Sequence, residues 1–293
     1  MFIVAIEGGL GNQMFQYAFF MALKEQYGNE LMKLDLSLIN PLVHNGYELQ
    51  RIFGVDQPLC TPKEVILYSE YCSGNILFGK FWTFVWAIRR NLFGRKKSFI
   101  HQPDSTAYYH LRERLDKSKN YYFKGVWANH KYFNQYEELI RKIFTFPQIV
   151  DKQNLQWKEM IEQTNSVSIH FRGGDYYKAN YTIMEQPYYI KAVNYLKEKF
   201  DELSFFIFTD DLENAKKTIG NIDHCFYIEN NRGNNSYIDM QLMSLCKHNI
   251  MANSTFSFWG AYLNPNKEKI VIGSRNPVGK CSEPYWFAGV ILL

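Results

Sequence analysis

Apolar residues open the chain in an unbroken run from Phe2 to Ile6 and stop at Glu7-Gly8-Gly9. They return at Met14, Phe15, Ala18, Phe19, Ala22 and Leu23, the spacing of one buried helix stripe, which predicts a helix ending near Tyr27-Gly28. Asn12 stands where it could cap that helix. Leu31 to Leu36 then predicts a second strand that closes a β-α-β unit and with it a parallel sheet. From Pro41 to about Pro62 no period is legible. The texture changes at Phe146-Pro147, which divides the chain into domains 1–147 and 148–293. The second half repeats the alternation. Strands are predicted over Ser166–Phe171, Leu203–Thr209, Cys225–Ile228, Asn249–Met251 and Lys269–Ile272. Helices are predicted over Lys152–Gln163, Pro187–Phe200, Asn214–Ile219, Ser236–Cys246 and Thr255–Leu263. The expected fold class is α/β, two Rossmann-like parallel-sheet domains with a ligand cleft between them and ligands at strand carboxyl ends.

Composition narrows this only a little. With 46% hydrophobic and 21% charged residues the chain is globular, not disordered or collagenous. Thirty-three Lys and Arg against 29 Asp and Glu leave a net charge of +4, too small to call for nucleic acid. Five scattered cysteines without a Cys-x-x-Cys pair suit reduced thiols better than a disulfide or zinc scaffold. The N-terminus lacks the basic and small-residue features of a signal peptide, and no apolar run reaches the roughly 18 residues that span a bilayer. A cytoplasmic protein is expected. One stretch departs from the mean: no acidic residue occurs between Glu70 and Asp104, while Lys80, Arg89, Arg90, Arg95, Lys96 and Lys97 lie among aromatics. Residues 80–97 therefore read either as a contact for anionic lipid, with the protein peripheral to the inner membrane face, or as a solvated basic helix face.

Four clusters at predicted strand ends carry the candidate chemistry. In Gly8-Gly9-Leu10-Gly11-Asn12-Gln13, glycines admit close backbone approach and the following helix start offers N–H groups to an anion. In His170-Phe-Arg172-Gly-Gly-Asp175, three polar side chains end a buried strand, and the Arg172 fork suits phosphate oxygens. Thr209-Asp210-Asp211 supplies carboxylates for a ribose, a base, a metal or the cap of the next helix. Asn253-Ser254-Thr255-Phe256-Ser257 gathers three hydroxyls at a helix start, more than a plain cap needs. The chain contains no Asp-x-Asp, which argues against a metal.

Together these segments resemble the bacterial α-1,2-fucosyltransferases of glycosyltransferase family 11. The resemblance rests on Gly8 to Ala18, on His170-x-Arg172-x-Gly174-Asp175-Tyr176, on Thr209-Asp210, and most specifically on Asp239 to Lys247 and Asn253 to Leu263. It runs from residue 2 to about 275, thinly over 41–145. At Gly173 the family usually carries a second arginine. The resemblance implies a GT-B fold, GDP-β-L-fucose as donor, no metal or other cofactor, and inverting transfer to the 2-hydroxyl of a terminal galactose in a bacterial surface glycan of O-antigen type. The acceptor would be a galactose-terminated oligosaccharide, including a lipid-linked one. Gly9, Gly11, Arg172, Asp210, Asn253, Ser254, Thr255, Phe256 and Ser257 would bind the donor. Arg172, Asp175, His170 and Asn12 would act in catalysis: Asp175 is the first candidate base, with His170 and Glu7 behind it, and Asn12 orients a sugar.

Three other readings stay open on sequence. A transferase using another GDP-sugar is the nearest, because of Gly173. A nucleotide-binding oxidoreductase could be built on Gly9, Gly11 and Asp35, although its third glycine is missing. A non-catalytic glycan-binding module would suit the many tyrosines and tryptophans but needs no diphosphate site.

Overall fold

The computed structural model describes residues 1–28, 32–40, 44–70, 79–102, 115–174, 176, 183–275 and 286–293. The chain divides into two compact units, Met1–Thr145 and Phe146–Leu293.

The first unit is built on a four-stranded parallel sheet. Strand β1 (Phe2–Ala5) is wholly buried and lies between β2 (Met32–Asp35) and β4 (Tyr121–Lys124), with β3 (Phe99–His101) outside β4. Strands covered on both faces read as continuous apolar runs rather than alternating ones, which is why β1 was plain in the sequence. Helix α1 (Leu10–Tyr27) starts earlier than its stripe suggested: Gly9 is its N-cap, and Asn12 sits inside the first turn instead of capping it. The helix is buried from Leu10 to Leu23 except at Asn12, and its aromatic side supplies much of the core, with Phe19 stacked on Trp127 at 4.3 Å. The segment without a legible period holds one short helix, α2 (Leu49–Phe53), and a second, α3 (Pro62–Tyr68), begins where it ends. The latter is announced by a Thr61/Glu64 capping box with Pro62 in the first turn. Helix α4 (Gly79–Phe93) covers most of the basic aromatic stretch, and α5 (Glu137–Ile143) follows β4.

The second unit has a six-stranded parallel sheet: β5 (Asn165–Phe171), β6 (Leu203–Thr209), β7 (Cys225–Ile228), β8 (His248–Ile250), β9 (Val271–Gly273) and β10 (Ile291–Leu292). Their spatial order is β10-β9-β8-β5-β6-β7. Counted within the unit this is the doubly wound order, whose switch point falls between its first and fourth strands, here β5 and β8. Helix α6 (Lys152–Gln163) leads into β5, and the helices between the strands are α7 (Gln186–Lys197), α8 (Leu212–Ile219), α9 (Tyr237–Leu245) and α10 (Thr255–Leu263). β5 and β6 pair in register over their whole length, Asn165 against Leu203 through Phe171 against Thr209. Short β8 is fixed by a buried polar clamp. The Asn249 amide donates to Ser168 Oγ on β5 at 2.7 Å, and the Asn264 amide donates to Asn249 Oδ1 at 2.8 Å. Buried polar groups must find partners, so this clamp specifies which strand lies beside β5. The close crossing of α9 and α10 depends on Gly260, where a Cβ would stand 2.9 Å from Met243 Cβ.

Candidate active site

Parallel β5 and β8 point their carboxyl ends the same way, so the loops after them meet at the switch point. His170 is the penultimate residue of β5; its ring lies 5.7 Å from that of Phe256, in the first turn of α10. Arg172 follows β5 and remains half-buried. Its Nη1 is 3.0 Å from Asp210 Oδ2, just beyond β6, and the Gly173 N–H donates to Asp210 Oδ1 at 2.9 Å. One carboxylate therefore aims the guanidinium and shapes the turn that carries it. The guanidinium carbon also stands 5.6 Å from the Tyr176 ring, and the Tyr176 hydroxyl donates to the Asn253 carbonyl at 3.0 Å, joining the loop after β5 to the loop after β8.

At the start of α10 the Phe256 N–H donates to the Ser254 hydroxyl at 3.2 Å, a side-chain cap. Ser257 donates its hydroxyl to the Ala252 carbonyl at 3.0 Å and to that of Ser254 at 3.1 Å, so it buttresses the turn. Thr255 and Phe256 stay half-buried, while Asn253, Ser254 and Ser257 are buried. The positive end of a helix and a fixed guanidinium thus converge on one place, an arrangement that favours an anion.

His170 is only 4% exposed, and burial, helped by the charge of Arg172, pushes its pKa down to about 3. Its imidazole is neutral at physiological pH, a weak proton acceptor but an available hydrogen-bonding group. Among the described residues no protein group pairs with its Nδ1.

The structure separates the two aspartates of the third cluster. Asp211 caps α8, accepting from the Asn214 N–H at 3.3 Å and the Asn214 amide at 2.7 Å, whereas Asp210 holds Arg172. Both carboxylates are committed to protein partners. Gly173 has a local reason: a Cβ there would lie 2.8 Å from the Phe171 ring and 3.0 Å from Asp211 Oδ2. Asp175 falls outside the described residues.

Gly9, Gly11 and Asn12 belong to the other unit, where the turn after β1 is held by two buried glutamines. Gln13 donates to the carbonyls of Gly8 at 2.9 Å and Gly46 at 2.7 Å; Gln16 accepts from the Glu7 N–H at 3.0 Å and donates to the Gly125 carbonyl at 3.1 Å. Gly8 has φ +81°, and a Cβ on it would meet the Asn12 amide nitrogen at 2.7 Å, so the turn requires glycine. Glu7 pairs with Lys124 at 3.4 Å. Asp35, the ribose ligand of the oxidoreductase reading, is 2% exposed, accepts from the Tyr122 hydroxyl and caps the Ser37 N–H at 2.8 Å. That reading loses its carboxylate.

Sequence reasoning overlooked the bracing role of Tyr176, although Tyr176 lies in the motif itself, and the Glu7–Lys124 pair, whose members are 117 residues apart.

Two parallel-sheet α/β units, one of them doubly wound, give the chain a GT-B-like fold, that of a class of glycosyltransferases. Among solved structures it is similar to the fucosyltransferase NodZ from Bradyrhizobium, at a TM-score of 0.55 and 16% identity over 95% of this chain and 97% of that one. Residues 87–278 match glycosyl transferase family 11, and the chain belongs to that family. It is 36% identical to an α-1,2-colitosyltransferase of Escherichia coli over 89% of this chain and 87% of the relative. It is 29% identical to the O-antigen biosynthesis glycosyltransferase WbnK of Escherichia coli over 97% and 94%.

Proposed function

We propose that the chain transfers L-fucose from GDP-β-L-fucose to the 2-hydroxyl of a terminal galactose in a bacterial surface glycan of O-antigen type. The observation that carries the donor half is the Arg172–Asp210 pair set against the start of α10. The acceptor hydroxyl attacks the anomeric carbon, its proton passes to a base, and the C–O bonding pair leaves with GDP. A departing diphosphate needs preorganised positive charge. In this reading Arg172 and the α10 start supply it without a metal, consistent with the commitment of Asp210 and Asp211 to protein partners. Neutral His170 hydrogen-bonds the donor instead of taking the proton, Asp175 takes the proton, and Asn12 orients a sugar with its amide. The second unit binds the donor, and the first unit serves the acceptor. That acceptor is carried on a lipid, and the enzyme works in the cytoplasm at the inner membrane face.

A second donor has a specific basis: the similarity to an α-1,2-colitosyltransferase makes GDP-colitose the alternative. A mass-spectrometric transfer assay with galactose-terminated oligosaccharides, either donor and EDTA separates these cases. A product heavier by one deoxyhexose, formed despite the chelator, is expected; a product from GDP-colitose alone reassigns the donor, and loss of product on chelation overturns the metal-free step. Arg172→Ala should lower kcat on the order of 10²–10³-fold, and near wild-type turnover would remove Arg172 from the reaction.

A further inference from the structure

Helix α4 (Gly79–Phe93) presents an arrangement that the transfer reaction does not explain. Its inner side carries Trp82, which packs against the core of β1, β3, β4 and α3, and Trp86, whose ring lies 3.7 Å under the Lys96 ammonium. Its outer side carries Phe81, Phe84, Ile88 and Leu92 at the three-and-four spacing of one helical stripe, and Phe93 follows at the end. These five side chains are 46–77% exposed. Soluble surfaces rarely keep large apolar side chains together in this way unless something covers them.

The six cations of the segment fall into two sets. Arg89 and Lys96 are turned to the protein. Arg89 pairs with Glu70 at 3.3 Å, and that carboxylate is buried; the Lys96 ammonium donates to the carbonyls of Leu67 at 2.8 Å and Ser69 at 3.2 Å. They fasten the helix to the unit. Lys80, Arg90, Arg95 and Lys97 are exposed, with Lys80 at one end of the stripe, Arg95 and Lys97 just past the other, and Arg90 round the helix from it. The sequence places no acidic residue from 71 to 103.

From this geometry we infer that α4 docks the protein on an anionic lipid bilayer, with Phe81, Phe84, Ile88, Leu92 and Phe93 entering the headgroup boundary and the four exposed cations holding the lipid phosphates. The match is one of chemistry: an apolar stripe bounded by positive charge and free of carboxylates fits a surface that is oily within and negative outside. A second copy of the chain would bring the same cations against themselves. The inference deepens the proposed lipid-linked acceptor by naming the element and the lipid charge, and the docking stands whichever sugar is transferred.

The test is co-sedimentation of the full chain with vesicles of phosphatidylcholine alone, or of equal parts phosphatidylcholine and phosphatidylglycerol, at low and high salt. The wild type should pellet with the anionic vesicles and be released by salt. Phe84→Ser with Leu92→Ser should abolish binding. Lys80→Gln, Arg90→Gln, Arg95→Gln and Lys97→Gln together should weaken it by about 600-fold, at about fivefold per cation. Both variants should melt like the wild type and transfer sugar to a soluble oligosaccharide at the wild-type rate. That soluble assay separates failure of the docking from failure of the transferase reading. Wild-type protein that stays in solution with anionic vesicles overturns the inference. So does vesicle binding that both variants retain, or a dimer in light scattering that the serine variant dissolves while vesicles bind nothing.

Discussion

Arg172 stood out in the sequence as a candidate phosphate ligand because an arginine closing a buried strand needs a partner. Its partner was not, because Asp210 lies 38 residues on, in a different β-α connection. Contact between them follows from β5 and β6 pairing in full register, a property of the sheet and not of either segment. For the same reason Asp210 reads differently once placed: its carboxylate aims Arg172 and binds the Gly173 N–H, which makes it a positioning residue. Asp239 shows the opposite case, a charge that the pattern hides inside a helix. Its side chain is buried and accepts from the Asn231 amide at 2.7 Å; burial raises its pKa to about 7, against the pull of that bond and of Arg232. Because the folded value exceeds the unfolded one, stability is greatest with the proton bound and declines as pH rises from about 4 to about 7. Asp239→Asn keeps an acceptor for Asn231 and removes the charge. Its melting temperature relative to wild type should therefore climb over that window and level off above it, an effect bounded by about 4 kcal/mol. A difference that stays flat with pH would show that Asp239 is not held protonated.

Elements with one strong signal were the easiest to read. Lys152–Gln163, Leu203–Thr209, Cys225–Ile228 and Thr255–Leu263 lie where the pattern put them. α1 began two residues before Asn12 because glutamines 13 and 16, not a cap, fix the turn ahead of it. The short pieces α2 and α3 escaped a period-based reading because five and seven residues make fewer than two helical turns. β3 and β4 escaped because their three and four residues show no alternation; parallel pairing of β4 with β1, and of β3 with β4, makes them strands. α10 illustrates how packing and site share an element. Its first turn faces the switch point while Gly260, further along, lets it lie close against α9. Gly260→Ala should cost about 1–3 kcal/mol through overpacking against Met243. The loss should appear as a lower midpoint in urea. An alanine at 260 without effect would mean the two helices separate freely.

Two α/β units were legible from the repeated alternation of runs and stripes, and the second unit's doubly wound strand order explains why three clusters distant in sequence converge. That order could not be read directly, since each strand is named by its own residues and its neighbours are chosen by packing. The first unit offered one recognisable cluster; Gln13 and Gln16 turn out to hold its shape, which accounts for part of the Gly8–Gln16 pattern without any ligand. The assignment of the donor to the second unit can be examined without knowing the acceptor or the sugar. Calorimetric titration of GDP into the wild type, Arg172→Ala and Asp210→Asn is that measurement, with NAD as the control ligand. The wild type should bind GDP and ignore NAD, Arg172→Ala should bind GDP at least tenfold more weakly, about 1.4 kcal/mol or more, and Asp210→Asn should fall between them. GDP bound equally well by all three proteins would contradict a diphosphate site at the β5/β8 switch point.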